Sequence, residues 1–166
     1  KSKIINFLFI IVILIIKKYI SHRGNLYGRD LDRENNLTSI LEVINDGYDC
    51  EIDLWLLDNQ LFLGHDKPEN KISLSTVLKI KEQIWIHCKN LAALDYFTNK
   101  EDEKLNFFWH QQDDFTLTSF NYIWTYPGKE VTSNSIIVDL IHVNKLTKDV
   151  FGICSDNIAE VKKIYN

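Results

Sequence analysis

Short apolar runs alternate with amphipathic stretches along most of the chain. Runs rich in β-branched and aromatic residues predict strands, whereas apolar residues three and four positions apart predict helices. The predicted strands span residues 18–22, 48–57, 61–63, 84–88, 105–109, 122–125, 135–138 and 151–154. The predicted helices span residues 37–46, 73–81, 91–97 and 157–165, the first between a capping asparagine and Gly47.

The alternation of strands and helices predicts the class of fold. Strands joined by helical segments of this length are typical of an α/β protein with a parallel sheet, either open or closed into a barrel. A chain of 166 residues has room for one such domain with one main hydrophobic core.

The clearest change in composition lies at the N-terminus. Residues 4–16 are apolar except for Asn6, and lysines stand on both sides of them. As a helix, this segment would rise about 20 Å, short of a roughly 30 Å hydrocarbon core, but flanking lysines can reach the interface. We therefore predict a single membrane anchor at residues 1–17 and a domain at residues 18–166, with the side of the membrane undecided. A cleaved signal peptide and a helix buried against the domain or a partner are the alternatives.

The charge balance and the cysteines exclude some classes of protein. The net charge of −4 argues against a general nucleic-acid binder, which usually carries a basic face, so no nucleic-acid partner is expected. Cys50, Cys88 and Cys154 are too few for a disulfide framework, and we predict that they are reduced, structural residues.

Polar residues that suit a catalytic site stand near the ends of predicted strands. His22 and Arg23 end the first strand, and Glu51 and Asp53 lie two positions apart on the second, so the pleat points both carboxylates to one face. A buried carboxylate pair needs a cationic partner. Hard oxygen ligands suit Mg²⁺ or Ca²⁺, but a salt bridge to Arg23 or Lys89 would explain the pair equally well.

Four motifs in this part of the chain stand in a regular order: His22-Arg23-Gly24, Glu34-Asn35, Glu51-x-Asp53 and Gly64-His65-Asp66. Together they resemble the signature of the glycerophosphodiester phosphodiesterase family. The spacing agrees as well, with twelve residues from His22 to Glu34, seventeen more to Glu51, and twelve from Asp53 to His65.

Two later segments carry the same resemblance more weakly. His87-Cys88-Lys89 stands where the family has a strand bearing Glu-x-Lys. The residues from Gly152 to Asp156 are similar to the Gly-x-x-Thr-Asp of the family's last barrel strand. The apolar N-terminal segment lies outside the match.

The resemblance implies a TIM barrel that hydrolyses a glycerophosphodiester-like substrate with the help of a bound metal. Such hydrolysis needs charge stabilisation on the phosphoryl oxygens and a proton for the leaving alkoxide. The resemblance implies His22 and His65 as the general acid and base. It implies Arg23 and Lys89 as the groups that neutralise the phosphate. It implies Glu51 and Asp53 as metal ligands.

Two departures from the family change these expectations. The family's third ligand is a glutamate, and this chain has His87, which we predict to be either a metal ligand or a hydrogen-bonding group in the same cleft. We expect one divalent metal, Mg²⁺ or Ca²⁺, with Mn²⁺ or Zn²⁺ as alternatives because imidazole is a softer ligand. Residues 18–166 are also fewer than the about 250 of a typical TIM barrel. We therefore predict a trimmed TIM-type barrel of seven or eight strands, with an incomplete, open barrel as the alternative.

Some questions of function stay open at this point. Besides the phosphodiester hydrolase, the chain could be a catalytically weakened relative that binds phosphodiesters, or a membrane-tethered structural or assembly protein. His110 could contact substrate or be a surface or structural residue. Asp139 and Asp156 follow strands at the same end of the predicted sheet, but we expect neither to take a direct catalytic role.

Overall fold

The computed structural model describes residues 16–139, 146 and 149–165. The strands within these residues are β1 (Lys18–His22), β2 (Asp49–Leu57), β3 (Gln60–Leu63), β4 (Asn70–Ile72), β5 (Ile84–Cys88), β6 (Phe107–Phe108), β7 (Phe115–Leu117), β8 (Ile123–Thr125), β9 (Ser135–Val138) and β10 (Gly152–Ser155). The α-helices are α1 (Leu37–Asn45), α2 (Leu74–Lys79), α3 (Leu91–Thr98) and α4 (Ile158–Tyr165).

The strands form one curled, mostly parallel sheet. Its parallel part runs β6-β5-β2-β1-β10-β9-β8, so β1 pairs with both β2 and β10. β7 adds an antiparallel edge beside β8, and β3 and β4 extend the second half of β2 as an antiparallel meander. Among the described strands, no ladder joins β6 to β7 or β8. The sheet is therefore a half-barrel with one unpaired gap, which the Phe108 and Trp124 rings partly fill, with centroids 4.5 Å apart.

Side-chain alternation divides the interior into two main layers. On β2, Cys50, Ile52 and Leu54 face outward and pack in the larger core beneath α1, α2 and α3. On the opposite, concave face, a smaller core contains Ile20, Trp85, Phe108, Trp124, Ile136 and Cys154. Because successive residues of a strand point to opposite faces, Glu51 and Asp53 project into the concave side, above this smaller core.

The predicted α/β class is confirmed, and a closed TIM barrel is not. Connections between residues 105 and 139 are too short to carry outer helices, so this side of the sheet is joined by turns and the antiparallel β7. No hydrophobic helix precedes β1 in the described part of the chain. The helix that we predicted there falls almost entirely on residues 1–15, which lie outside the described residues.

The structure contradicts the prediction of a membrane-anchored protein. None of the helices in the described ranges is long and apolar enough to cross a bilayer. The segment on which the prediction rested, residues 4–16, lies outside those ranges except for Ile16.

Candidate functional site

Glu51 and Asp53, in the first half of β2, form a compact group with His87 near the carboxyl end of β5. One ligand-type atom from each residue lies within 4.8 Å of the others. Nδ1 of His87 lies 3.1 Å from Oδ1 of Asp53 and 3.8 Å from Oε1 of Glu51. The three residues are 2%, 0% and 8% exposed, respectively, so the group is held almost entirely away from water.

This group has the chemistry of a cation site. Glu51 Oε2 is buried and has no hydrogen-bond partner, whereas the buried Asp53 Oδ1 has His87 Nδ1 at 3.1 Å and Lys89 Nζ at 3.3 Å. An unpaired buried carboxylate oxygen is expensive because it has lost its water without gaining a donor. Two carboxylates and an imidazole can supply oxygen and nitrogen ligands to one divalent metal, so the residues fit the metal that the sequence predicted.

The pKa values of the two carboxylates are shifted in opposite directions. Burial raises the pKa of Glu51, and the neighbouring charge of Asp53 raises it further. Burial would also raise the pKa of Asp53, but His87, Arg23 and Lys89 together hold it below its usual value. Asp53 is therefore the carboxylate that stays ionised, while the ionised form of Glu51 is disfavoured.

Arg23 is held between two carboxylates beside this group. Its Nη1 donates to Glu34 Oε2 at 3.2 Å, and its Nε lies 3.0 Å from Asp53 Oδ2 without hydrogen-bond alignment. Its backbone adopts the left-handed conformation, with φ of 56°, at the turn that follows β1. The side chain is largely buried yet reaches the cleft.

Asn35 holds Asp53 in place through both the oxygen and the nitrogen of the Asn35 side-chain amide. Its Oδ1 accepts from the Asp53 backbone nitrogen at 2.9 Å, and its Nδ2 donates to Asp53 Oδ2 at 2.8 Å. Asn35 is 1% exposed and also has a positive φ, 52°, which asparagine tolerates better than most residues. The Glu34-Asn35 motif singled out Asn35 in the sequence, but it did not indicate that Asn35 hydrogen-bonds to Asp53.

His22 is oriented by Asp156, which follows β10, and Asp156 is in turn held by Asn25 in the loop after β1. Its Nδ1 lies 2.7 Å from Asp156 Oδ1, and the same oxygen accepts from Asn25 Nδ2 at 2.8 Å. The other ring nitrogen, Nε2, lies 3.9 Å from Glu51 Oε2. His22 thus presents Nε2 to the carboxylate group and the cleft. Asp156, for which we expected no direct catalytic role, orients this candidate residue.

His65 approaches the same cleft from the loop after β3. Its Nδ1 lies 2.7 Å from Asp66 Oδ1, and its side chain is 38% exposed. Burial lowers the pKa of His65, and the nearby charges of Arg23 and Lys89 lower it further. The preceding Gly64 has a φ of 147°, and a Cβ there would collide with the carbonyl of Lys67, so only glycine fits this turn.

Lys89 and three aromatic side chains complete the cleft. Lys89 Nζ lies 3.3 Å from Asp53 Oδ1. Trp109, His110 and Tyr126 also line this cavity, which has a volume of about 590 Å³. Burial lowers the pKa of His110 to about 4, with His87 and Lys89 adding to the effect, so its ring is neutral near pH 7.

The structure brings the sequence-predicted residues together. His22, Arg23, Glu51, His65, His87 and Lys89 line this one cleft. Asp53 lies behind them, fully buried, where it contacts Arg23, His87 and Lys89. The cysteines are free and buried as predicted, and burial raises the pKa of Cys88 to about 12, so its thiol is not a nucleophile although it borders the cleft.

Comparison with known proteins gives no match to a family model, a curated protein or a solved structure. The site must therefore be interpreted from its own chemistry.

Proposed function

We propose that this chain is a metal-dependent phosphodiester hydrolase that acts on a glycerophosphodiester-like substrate. One observation carries the proposal: a buried carboxylate pair, in which Glu51 Oε2 has no hydrogen-bond partner, lies beside a single cleft with two histidines and two cationic side chains. Each of these groups has a task in phosphodiester hydrolysis, and a structural role would not require all of them in one cavity.

The proposed metal ligands are Glu51, Asp53 and His87. A divalent ion bound there would polarise a phosphoryl oxygen and offset its negative charge. Arg23 and Lys89 add positive charge at the same end of the cleft, where they would bind and orient the phosphate. Asn35 keeps the Asp53 carboxylate in place through its two hydrogen bonds.

His22 and His65 are the proposed proton-transfer groups. Each has its Nδ1 directed to a carboxylate, Asp156 or Asp66, which leaves Nε2 as the nitrogen available to substrate. Because the pKa of His65 is lowered, its ring is neutral near pH 7 and can accept a proton from an attacking hydroxyl. His22 would then deliver the proton that the leaving alkoxide needs.

The finer description of the fold belongs to the same proposal. We infer that the half-barrel is a trimmed TIM-type barrel, because β1 lies between the second long parallel strand, β2, and the last described strand, β10. His22 and His87 lie at the carboxyl ends of β1 and β5, the end at which barrels of this type carry their active sites. Glu51 and Asp53 of β2 are their register partners in the sheet.

The test is release of product from a panel of phosphodiesters, glycerophosphodiesters included, with Mg²⁺, Ca²⁺, Mn²⁺, Zn²⁺ or EDTA. His22→Ala serves as the inactive protein, and Lys71→Gln, an exposed substitution on β4, as the matched control. We expect metal-dependent turnover that is lost in EDTA and falls by about 10²- to 10⁴-fold in His22→Ala. Folded protein that binds metal without turnover would favour the weakened, phosphodiester-binding relative instead.

A further inference from the structure

The imidazole of His87 is oriented by contacts at both of its nitrogens. Nε2 lies 3.2 Å from the backbone carbonyl oxygen of His110, which can only accept a hydrogen bond, so Nε2 carries the hydrogen. In a neutral imidazole the lone pair then belongs to Nδ1. Nδ1 is the nitrogen that faces Asp53 and Glu51, so the ring turns its metal-binding atom to the carboxylate pair.

The ring is also held by stacking. His87 lies nearly parallel to Phe108, with an interplanar angle of 7° and centroids 5.1 Å apart. It stacks on His110 as well, at 14° and 4.8 Å. A rotation that withdrew Nδ1 from the carboxylates would give up the bond to the His110 carbonyl. Metal-binding histidines commonly donate their other ring N–H to a backbone carbonyl in this way.

Charge balance alone does not explain a histidine at this position. Asp53 already has two cationic neighbours, since Arg23 Nε lies 3.0 Å and Lys89 Nζ 3.3 Å from its oxygens. The oxygen that lacks a partner on the other carboxylate, Glu51 Oε2, remains unpaired with His87 present. An imidazole that served only to neutralise the pair would leave that oxygen as it is, whereas a shared metal would satisfy both carboxylates.

We infer that His87 is a metal ligand through Nδ1 and sets the metal specificity of the site, which prefers Mn²⁺ or Zn²⁺ to Mg²⁺ and Ca²⁺. The inference rests on the metal site of the proposed function and names the class of ion that the site takes. Mg²⁺ and Ca²⁺ favour sets of hard oxygen ligands, and a neutral imidazole contributes little to them. The same nitrogen strengthens the binding of first-row transition metals, so one residue shifts the order of affinities.

The experiment is calorimetric titration of the EDTA-treated, untagged chain with Zn²⁺, Mn²⁺, Mg²⁺ and Ca²⁺ separately. Two variants are compared, His87→Glu, which supplies a third carboxylate, and His87→Gln, which removes the ligand nitrogen without adding charge. Thermal unfolding in EDTA establishes that each variant is folded. Visible absorption of bound Co²⁺ gives a second readout, because its bands shift when a nitrogen ligand is replaced.

The expected result is one ion bound per chain, with Zn²⁺ and Mn²⁺ bound more tightly than Mg²⁺ and Ca²⁺. His87→Gln should reduce the preference for Zn²⁺ and Mn²⁺ by at least about tenfold, the lower end of what even outer-shell partners contribute to metal affinity. His87→Glu should move the preference in the same direction and strengthen Mg²⁺ or Ca²⁺ binding, and both variants should alter the Co²⁺ spectrum.

Several outcomes would overturn the inference, and they are distinguishable from failure of the proposed function. Equal or tighter binding of Mg²⁺ or Ca²⁺ by the native chain, or an unchanged preference in His87→Gln, would overturn the specificity and leave the hydrolase intact. No binding of any ion would remove the metal site from both proposals. Tight Mn²⁺ or Zn²⁺ binding without turnover of any diester would support the inference and count against the hydrolase.

Discussion

Nδ1 of His22 lies 2.7 Å from Oδ1 of Asp156, although the two residues are 134 positions apart in the chain. The contact crosses from the end of β1 to the end of β10, which are neighbours in the sheet. Asn25 donates to the same carboxylate oxygen, so the aspartate is itself fixed. The pair sets which nitrogen of His22 faces the cleft.

Asp156→Asn should therefore lower kcat strongly. The Asp156 carboxylate accepts from Nδ1–H and offsets the positive charge of a ring that also carries, on Nε2, the proton to be delivered. An asparagine amide has no charge with which to do this. We expect a loss on the order of 10²- to 10⁴-fold in kcat with little change in KM, measured by steady-state kinetics. Asp49→Asn is the matched control, since Asp49 is a buried carboxylate at the start of β2 that accepts hydrogen bonds from Trp85 and Lys18. An equal loss in both variants would contradict the specific role of Asp156.

Asn35→Ala should destabilise the fold and weaken metal binding. It removes both hydrogen bonds to Asp53, and alanine tolerates the positive φ of this position less well than asparagine does. We expect a loss of about 1–3 kcal/mol in the free energy of unfolding from the missing partner, measured by urea denaturation. Metal affinity should fall by roughly 10- to 100-fold, as for other outer-shell partners.

Asn35→Gly separates the two causes, because glycine accepts the positive φ and still lacks the amide. It should recover part of the lost stability and none of the lost metal affinity. Full recovery of metal affinity in Asn35→Gly would show that the amide does not hold Asp53 for the metal.

Glu51→Gln should make the metal-free protein more stable and abolish its response to metal. The raised pKa of Glu51, due to burial and then to Asp53, means that its ionised form is disfavoured in the folded state, and glutamine has a similar shape without the charge. In EDTA, the variant should gain about 0.5–2 kcal/mol, the range for relieving one unfavourable position.

With metal at about a hundred times its Kd, the native chain should gain roughly 2.7 kcal/mol, and Glu51→Gln should gain little. Urea denaturation with and without metal measures both effects. Native protein that is more stable than the variant in EDTA would contradict the unpaired state of the carboxylate.

Glu34 should give the fold an acid-sensitive contribution. Burial would raise its pKa, but hydrogen bonds from Asn25, Arg23 and Arg29 and the charge of Arg23 lower it overall. A depressed carboxyl pKa stabilises the fold at pH values above the unfolded value of about 4.3, and this contribution is lost as the pH falls through the lower, folded value.

Urea denaturation in EDTA at pH 7, 5, 4 and 3 tests this expectation with Glu34→Gln. The native chain should exceed the variant in stability at pH 7 and 5, and the difference should shrink at pH 4 and further at pH 3. A difference that is constant across this range would show that the ionised Glu34 carboxylate does not stabilise the fold.

The sequence predicted the regular elements well where their patterns are strong. β1 at Lys18–His22, β5 at Ile84–Cys88 and β9 at Ser135–Val138 have the predicted bounds, and α1 begins after the capping Asn36. The strands β4 and β7 were missed. Each has three residues, lies at a sheet edge and has polar or exposed positions, so neither has enough alternation to predict a strand.

The candidate site was predictable as a set of residues but not as a network. Motif spacing identified both carboxylates and the histidines, because these residues are close in sequence to the strand ends that position them. The contact of Asp156 with His22 depends on the pairing of β1 with β10, and no local pattern contains that information. The role of Asn35 depends likewise on a loop that folds back onto β2.

The neighbouring positions of β1 and β10 have a consequence for biosynthesis. His22 leaves the ribosome before its partner Asp156, which follows 134 residues later. Contacts of such large sequence separation form late, because the loop between them must close first. A nascent chain that has made β2 and β5 can already assemble its carboxylates, yet His22 cannot be oriented until β10 has joined the sheet. The proposed hydrolase would therefore become active only after β10 has been synthesised and has paired with β1.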